Sequence, residues 1–286
     1  MNIKILISII AILFLTIYIV QRVSLSKTKI DNVPPIVVSL TTSPKRIHSI
    51  QPVINSILSQ TIPVSYIQLN LPKVFKRSGE TFETIPSFLH HDKIKIRFVE
   101  DIGPITKILP TLQEKFTHDT LVLSIDDDTI YGNNMIEMFL KYHKQFPNHV
   151  LTGSGHSHRL SSNQLFPLQH QKATMIEGFS GVLYPYKLFQ NIKIDTSNVP
   201  KECYFSDDFV LSNYIHIQKI PITSLEFFKF PIYKINQLHF GFHNDALHKS
   251  GNGKKETTIH PQNYKTCAIH YDNKKQLSPE LSYWLL

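Results

Sequence analysis

Thr120-Leu121-Val122-Leu123-Ser124-Ile125-Asp126-Asp127-Asp128 is the stretch on which the reading of this chain turns. Residues 120–125 read as a buried strand, because a short apolar run closed by turn-forming residues has a strand's length and not a helix's. The three aspartates then place several negative charges at one sheet edge. Carboxylates that close repel and raise one another's pKa. A hard divalent ion such as Mg²⁺ or Mn²⁺ relieves that cost, prefers oxygen ligands and in turn binds phosphates. The bland alternative is a solvated acidic turn.

Working outward, Ile36-Val37-Val38-Ser39-Leu40 reads as a strand followed by Thr41-Thr42-Ser43-Pro44. The apolar positions Ile47, Ile50, Ile54, Ile57 and Leu58 carry a helical period to Gln60. Residues 66–71 and 94–99 predict two further strands, 105–116 a helix, and 134–146 an amphipathic helix. This βαββαβ order in about 90 residues implies a mostly parallel α/β sheet. Ligands of such sheets bind beyond the carboxyl ends of the strands. Thr41-Thr42 and Asp126–Asp128 both lie just past such ends and are expected to face one crevice.

Beyond residue 150 the pattern loosens. Residues 150–153 look like a strand and 154–171 like a long His-rich loop. Gly178 to Pro185 is a glycine-bounded strand or turn. A helix over 209–217 begins after Ser206-Asp207-Asp208, residues suited to its N-cap. Residues 226–235 read as a strand and 244–255 as a flexible loop. No boundary divides residues 36–286.

The chain has 286 residues and a formal charge of +8, with a pI near 9.3. Excess Lys and Arg suits anionic partners such as nucleotide phosphates. The basic residues are scattered, however, and no nucleic-acid motif is present, so nucleic acid is not an expected partner. Cys203 and Cys267 form no finger spacing, which argues against structural zinc. They fit one disulfide and two free thiols equally well.

Ile3 to Val20 is apolar except for Lys4, Ser8 and Thr16. That is about the 20 residues a membrane-spanning helix needs. No small-residue cleavage site follows it, which favours an uncleaved signal anchor over residues 1–22. Residues 23–35, ending in Pro34-Pro35, read as a stem. Arg22, Lys27 and Lys29 outnumber Lys4, so the positive-inside rule favours a cytoplasmic domain. The side of the membrane stays open.

The ordered set of residues 37–42, Asp126-Asp127-Asp128, Glu177-Gly178-Phe179-Ser180-Gly181 and Asp207-Asp208 resembles the GT-A nucleotide-sugar glycosyltransferases, which carry a DxD motif and a later acidic pair. The resemblance covers roughly residues 36–250. It implies a GT-A (Rossmann-like), mostly parallel sheet flanked by helices, and a metal-dependent sugar transfer to a hydroxyl acceptor on a glycan, lipid or protein. Asp126 and Asp128 take the places of the ribose and metal contacts, with Mn²⁺ or Mg²⁺ as cofactor. Asp127 points to the other face of a continuing strand and suits local structure as well as donor binding. Thr41, Thr42 and Arg46 would hold the nucleotide, and Lys107 the diphosphate. Gly178, Phe179, Ser180 and Gly181 would line the acceptor side.

An inverting transfer needs a carboxylate to take the acceptor proton. Asp208, before Asp207, is that candidate; an N-cap role is the alternative. His243 stands where such enzymes place a third metal ligand, and a surface histidine is its alternative. Gly155-His156-Ser157-His158 has strand-like metal spacing in a stretch that reads as loop. Two rival readings remain: a metal-dependent phosphoesterase or nuclease, and a non-catalytic anchored carbohydrate-binding protein.

Overall fold

The structure, a computed structural model, describes residues 32–156, 171–225, 238–239 and 259–286. The expected anchor, His158, His243, the strand over 226–235 and the loop over 244–255 lie outside the described residues. Among those described, no helix is long and apolar enough to cross a membrane.

The strands in chain order are β1 (Ile36–Thr41), β2 (Tyr66–Pro72), β3 (Ile94–Val99), β4 (Leu121–Ser124), β5 (Thr129–Ile130), β6 (Val150–Thr152), β7 (Gly155–His156), β8 (Gln171–Lys172), β9 (Met175–Ile176), β10 (Val182–Pro185), β11 (Ile222–Ser224) and β12 (Leu238–His239). Eight of them form one sheet in the order β3-β2-β1-β4-β10-β6-β11-β8. β10 runs antiparallel to both its neighbours and β8 is antiparallel to β11. The other six share one direction, so the expected mostly parallel α/β sheet is present. β5 pairs with β12 and β7 with β9 in two small ribbons.

Both faces of the central strands β1 and β4 are covered, which is why they read as near-continuous apolar runs, whereas β2 alternates and the edge strand β3 is largely exposed. Val38, Leu40, Leu121 and Leu123 pack with Val53, Ile54 and Ile57 of helix Gln51–Leu58 and with Met138 and Phe139 of helix Met135–Gln145. On the other face Val122 and Tyr184 lie under Ile108, Leu112, Phe209 and Ile215. Such burial stabilises by roughly 1.5–3 kcal/mol per large side chain. It holds helical segments too short to persist alone in water.

Three helices differ from their sequence-based expectation. The helical period over 47–60 is a 3₁₀ turn, Ile47–Ser49, followed by helix Gln51–Leu58. The expected helix over 105–116 is a 3₁₀ turn, Pro104–Lys107, and a separate helix, Leu109–Leu112. Pro110 has no N–H and its ring clashes with the preceding turn, so the chain breaks at Ile108 (φ −133°). The later helix runs Asp207–Ile217, with Ser206 at the N-cap position. Asp207 and Asp208 therefore form its first turn rather than its cap.

Cys203 and Cys267 are joined as a disulfide, with Cα atoms 5.2 Å apart. The bond ties the short helix Lys201–Tyr204 to helix Ile259–Asn273. Its sequence separation is 64. Replacing both cysteines by serine is expected to lower stability by about 4 kcal/mol, the chain-entropy value for such a loop. Denaturant unfolding under non-reducing conditions checks this, and an unchanged midpoint would show that the bond contributes nothing.

Candidate active site

The parallel strands β1, β2, β3 and β4 end at one edge of the sheet. Thr41 ends β1 and Thr42 follows it, Asp101 follows β3, and Asp126–Asp128 follow β4. β10 runs the other way, pairing Val182 with Ser124. The turn before it, Gly178–Ser180, therefore reaches the same edge. Helix Asp207–Ile217 starts there too. These segments line a cavity of about 320 Å³, within the size range of small-molecule clefts. Thr41, Thr42, Arg46, Lys107, Asp126, Asp127, Asp128, Asp207 and Asp208 all lie on its wall.

Lys107 stands at the centre. Its Nζ is 2.8 Å from Asp126 Oδ1 and 2.9 Å from Asp207 Oδ2. One ammonium thus bridges the strand-end triplet and the helix-start pair. Burial disfavours its charge, yet Asp126, Asp207 and Asp208 hold its pKa well above the ordinary lysine value. Its backbone is pinned from below: the Ser39 hydroxyl donates to the Lys107 carbonyl at 2.5 Å. Ser39 also meets Thr111 at 2.7 Å, and Asn70 Nδ2 donates to Thr111 at 2.9 Å. Gly103 opens the turn that delivers Lys107, with φ +83°, where a Cβ would sit 2.5 Å from the Tyr204 carbonyl.

Arg46 supplies the second cation. It pairs with Asp127 and stands 3.2 Å from Asp128 Oδ2. Thr42 donates to Asp127 Oδ2 at 2.6 Å. Burial pushes the Asp127 carboxyl up to about 6, with Arg46 and Thr42 limiting the rise. Asp127 thus bonds to the loop after β1, the structural role that its place in the triplet had left open. The Thr41 hydroxyl donates to the Asn70 carbonyl at 2.7 Å.

Asp208 accepts the Gly178 N–H at 3.1 Å through Oδ1. Burial, then the neighbouring Asp207, raises its pKa well above the usual carboxylate range, against the pull of Lys107. Of the four residues expected on the acceptor side, Phe179 lines the cavity. Gly178 backs onto Lys107, whose Nζ a Cβ would strike. The buried Ser180 hydroxyl accepts from the Ser154 N–H and donates to the Glu177 carbonyl. Gly181 adopts φ +83° against Phe139.

Several wall residues carried no sequence signal. Asp101 is buried and accepts from Lys76 N–H at 2.7 Å, Gly103 N–H at 2.8 Å and Tyr204 Oη at 2.8 Å. Tyr204, Phe205 and Tyr264 come from the second half of the chain, and Phe75 and Arg77 from the loop after β2. The Arg77 guanidinium lies 5.9 Å from the Phe75 ring centre and 5.8 Å from that of Phe205. These residue types are common everywhere, so only long-range packing distinguishes them.

The donor set has a definite bearing on metal. Asp126 and Asp128 offer hard carboxylate oxygens, one of each already in an ion pair. Among the described residues no group of three His, Cys, Asp or Glu forms a metal cage. The pair suits a Mg²⁺ or Mn²⁺ ion that draws its remaining ligands from a diphosphate and water, as such ions commonly do. It does not suit an all-protein site.

No family model matches the chain, and no curated protein matches it. Among solved structures it is similar to "S. aureus TarS 1-349", with a TM-score of 0.51 and 11% sequence identity, covering 84% of this chain and 66% of that one. A longer S. aureus TarS structure matches at TM-score 0.47 and 12% identity, covering 84% of this chain and 40% of that one, and carries no weight. The chain thus shares an α/β fold with TarS and spans just under two thirds of that chain's length.

Proposed function

We propose that this protein is a glycosyltransferase that moves a sugar from a nucleotide-sugar donor to a hydroxyl acceptor, with inversion and with Mg²⁺ or Mn²⁺ bound alongside the donor. The observation that carries this reading is the meeting of two acidic groups across one lysine: Asp126 from the end of β4 and Asp207 from the start of a helix, both held by Lys107. The mostly parallel α/β sheet, a fold shared with S. aureus TarS, agrees with it, since such sheets bind ligands beyond their strand ends.

On this reading the donor diphosphate lies beside Asp126 and Asp128. The metal, when bound, offsets the negative charge that grows on the leaving diphosphate. Lys107 adds a fixed positive charge to the same region. Asp127, Thr42 and Arg46 keep the triplet in shape. Asp208 takes the proton from the acceptor hydroxyl as its oxygen bonds to the anomeric carbon and the bond from that carbon to the diphosphate oxygen breaks. A carboxylate with a raised pKa is a stronger base once deprotonated, which suits this task.

The phosphoesterase reading fares worse on one observation. Two-metal sites need carboxylates shared between two ions. Among the described residues, no group of three His, Cys, Asp or Glu is placed to hold even one ion without ligands from a substrate.

The anchor over residues 1–22 belongs to the same proposal, as do a glycan, lipid or protein acceptor and a third metal contact from His243. The disulfide suits an oxidising compartment, which opposes the charge count around the expected anchor and favours the far side of the membrane.

The test is a thermal-shift screen of nucleotide sugars with and without Mn²⁺. A ligand that binds the native state raises the melting point by mass action. One nucleotide class is expected to shift it, and more so with Mn²⁺. No shift in either condition would end the donor-site reading.

A further inference from the structure

Tyr131 was not singled out by the sequence and lines no part of the cavity, yet its hydroxyl sits between the two halves of the site. The ring is 3% exposed and packs in the core on the side of helix Gln51–Leu58. Its backbone N–H donates to the Ser56 hydroxyl of that helix at 3.2 Å, which sets the ring's position. At the far end, the phenol oxygen accepts the Asp126 N–H at 2.9 Å. It donates to the Phe179 carbonyl at 3.1 Å. Phe179 directly follows Gly178, whose N–H holds Asp208.

A chain of backbone contacts therefore runs from Asp126 through one phenol to the turn that fixes Asp208. β4 and β10 approach their shared edge antiparallel, and the paired ladder stops at Ser124 and Val182. Beyond that point the two segments are no longer paired. The phenol spans the gap that the ladder no longer closes. A hydroxyl is the group that can accept from one loop and donate to the other at once. Phenylalanine has the same ring and neither capacity.

We propose that Tyr131 is a positioning residue that sets the spacing between the donor-side carboxylate Asp126 and the acceptor-side base Asp208. This rests on the glycosyltransferase reading for its functional half. The hydroxyl touches no reacting atom. It acts through two backbone groups, and displacements of about 1 Å in a reacting pair are enough to cost about 100-fold in rate.

Tyr131→Phe decides the matter by two readouts. The first needs no activity: hydrogen exchange at the Asp126 amide is expected to quicken about tenfold or more, while the amides of Val122 and Leu123 keep wild-type protection. The second is the split between turnover and binding. Turnover is expected to fall about tenfold or more, with the donor KM within about twofold of wild type. Unchanged exchange at Asp126 overturns the proposal. So does quickened exchange with wild-type turnover. A drop in turnover accompanied by general loss of protection across β4 also overturns it, since the residue would then be only a core support. If the wild-type protein transfers no sugar, the proposed function falls, and the exchange measurement alone decides whether the phenol holds the two loops in register.

Discussion

Replacing Asp208 by asparagine is expected to lower turnover by about 10²–10⁴-fold, the usual contribution of a positioned general base. Asparagine keeps an oxygen for the Gly178 N–H, so the turn and the helix start retain their contact. What it loses is the ability to accept a proton. Donor affinity, measured as a thermal shift, is expected to stay near wild type. Asp207→Asn is the informative companion. Asp207 is committed to Lys107 at 2.9 Å, so its loss disturbs charge balance more than proton transfer. Equal turnover in Asp208→Asn and wild type would remove Asp208 from the mechanism. A larger loss in Asp207→Asn would transfer the role to its neighbour. The pH profile adds a second check. Burial and then Asp207 raise the Asp208 carboxyl, and only its deprotonated form can take a proton. Turnover should therefore rise with pH along a limb lying above the ordinary carboxylate range. That limb should vanish in the asparagine variant.

The second large effect is on stability. Lys107→Met is expected to destabilise the fold by about 3–5 kcal/mol, the cost of stranding the partners of a buried ion pair. For a domain of this size that is roughly a 10 °C drop in Tm. Methionine fills nearly the same space, so cavity formation contributes little. The loss comes from Asp126 and Asp207, which face each other with no ammonium between them. Adding Asp207→Asn to Lys107→Met should return part of the loss, because one of the two stranded charges is gone. Neighbours that share a partner are expected to be non-additive in this way. A Lys107→Met protein with wild-type Tm would mean that water replaces the lysine at little cost. Donor binding should weaken in the single variant as well, since a fixed positive charge beside the diphosphate is lost.

Much of the scaffold was legible because strand burial writes itself into the sequence. Residues 36–40, 66–71, 94–99 and 120–125 are continuous or alternating apolar runs, and β1 to β4 lie within a residue or two of those limits. Helix Met135–Gln145 announced itself by a one-sided apolar stripe. The segment over 105–116 misled, because its apolar content is helical while Pro110 interrupts the hydrogen bonding. That conflict is visible locally, and the proline should outweigh the pattern. The order of β10, β6, β11 and β8 was not legible. Those strands are two to four residues long and owe their places to partners far away in the chain.

The candidate site divides along the same line. The sequence by itself determined that acidic residues follow a buried strand and open a helix, and that Thr42 and Arg46 follow another strand, because strand and helix ends are local features. Strand alternation misplaced Asp127: β4 ends at Ser124, and Asp127 lies in a turn on the same cavity wall as Asp126 and Asp128, sharing Arg46 with Asp128. Only the tertiary structure decided which charges meet. That Lys107 bridges Asp126 and Asp207, that Arg46 holds Asp127 and Asp128, and that Tyr131 ties two loops together depends on contacts between residues widely separated in the chain. Cys203 and Cys267 stayed ambiguous for the same reason until the fold brought them together. Local periodicity reports which face of an element is buried. Charge pairing depends on which elements become neighbours, and sheet order sets that.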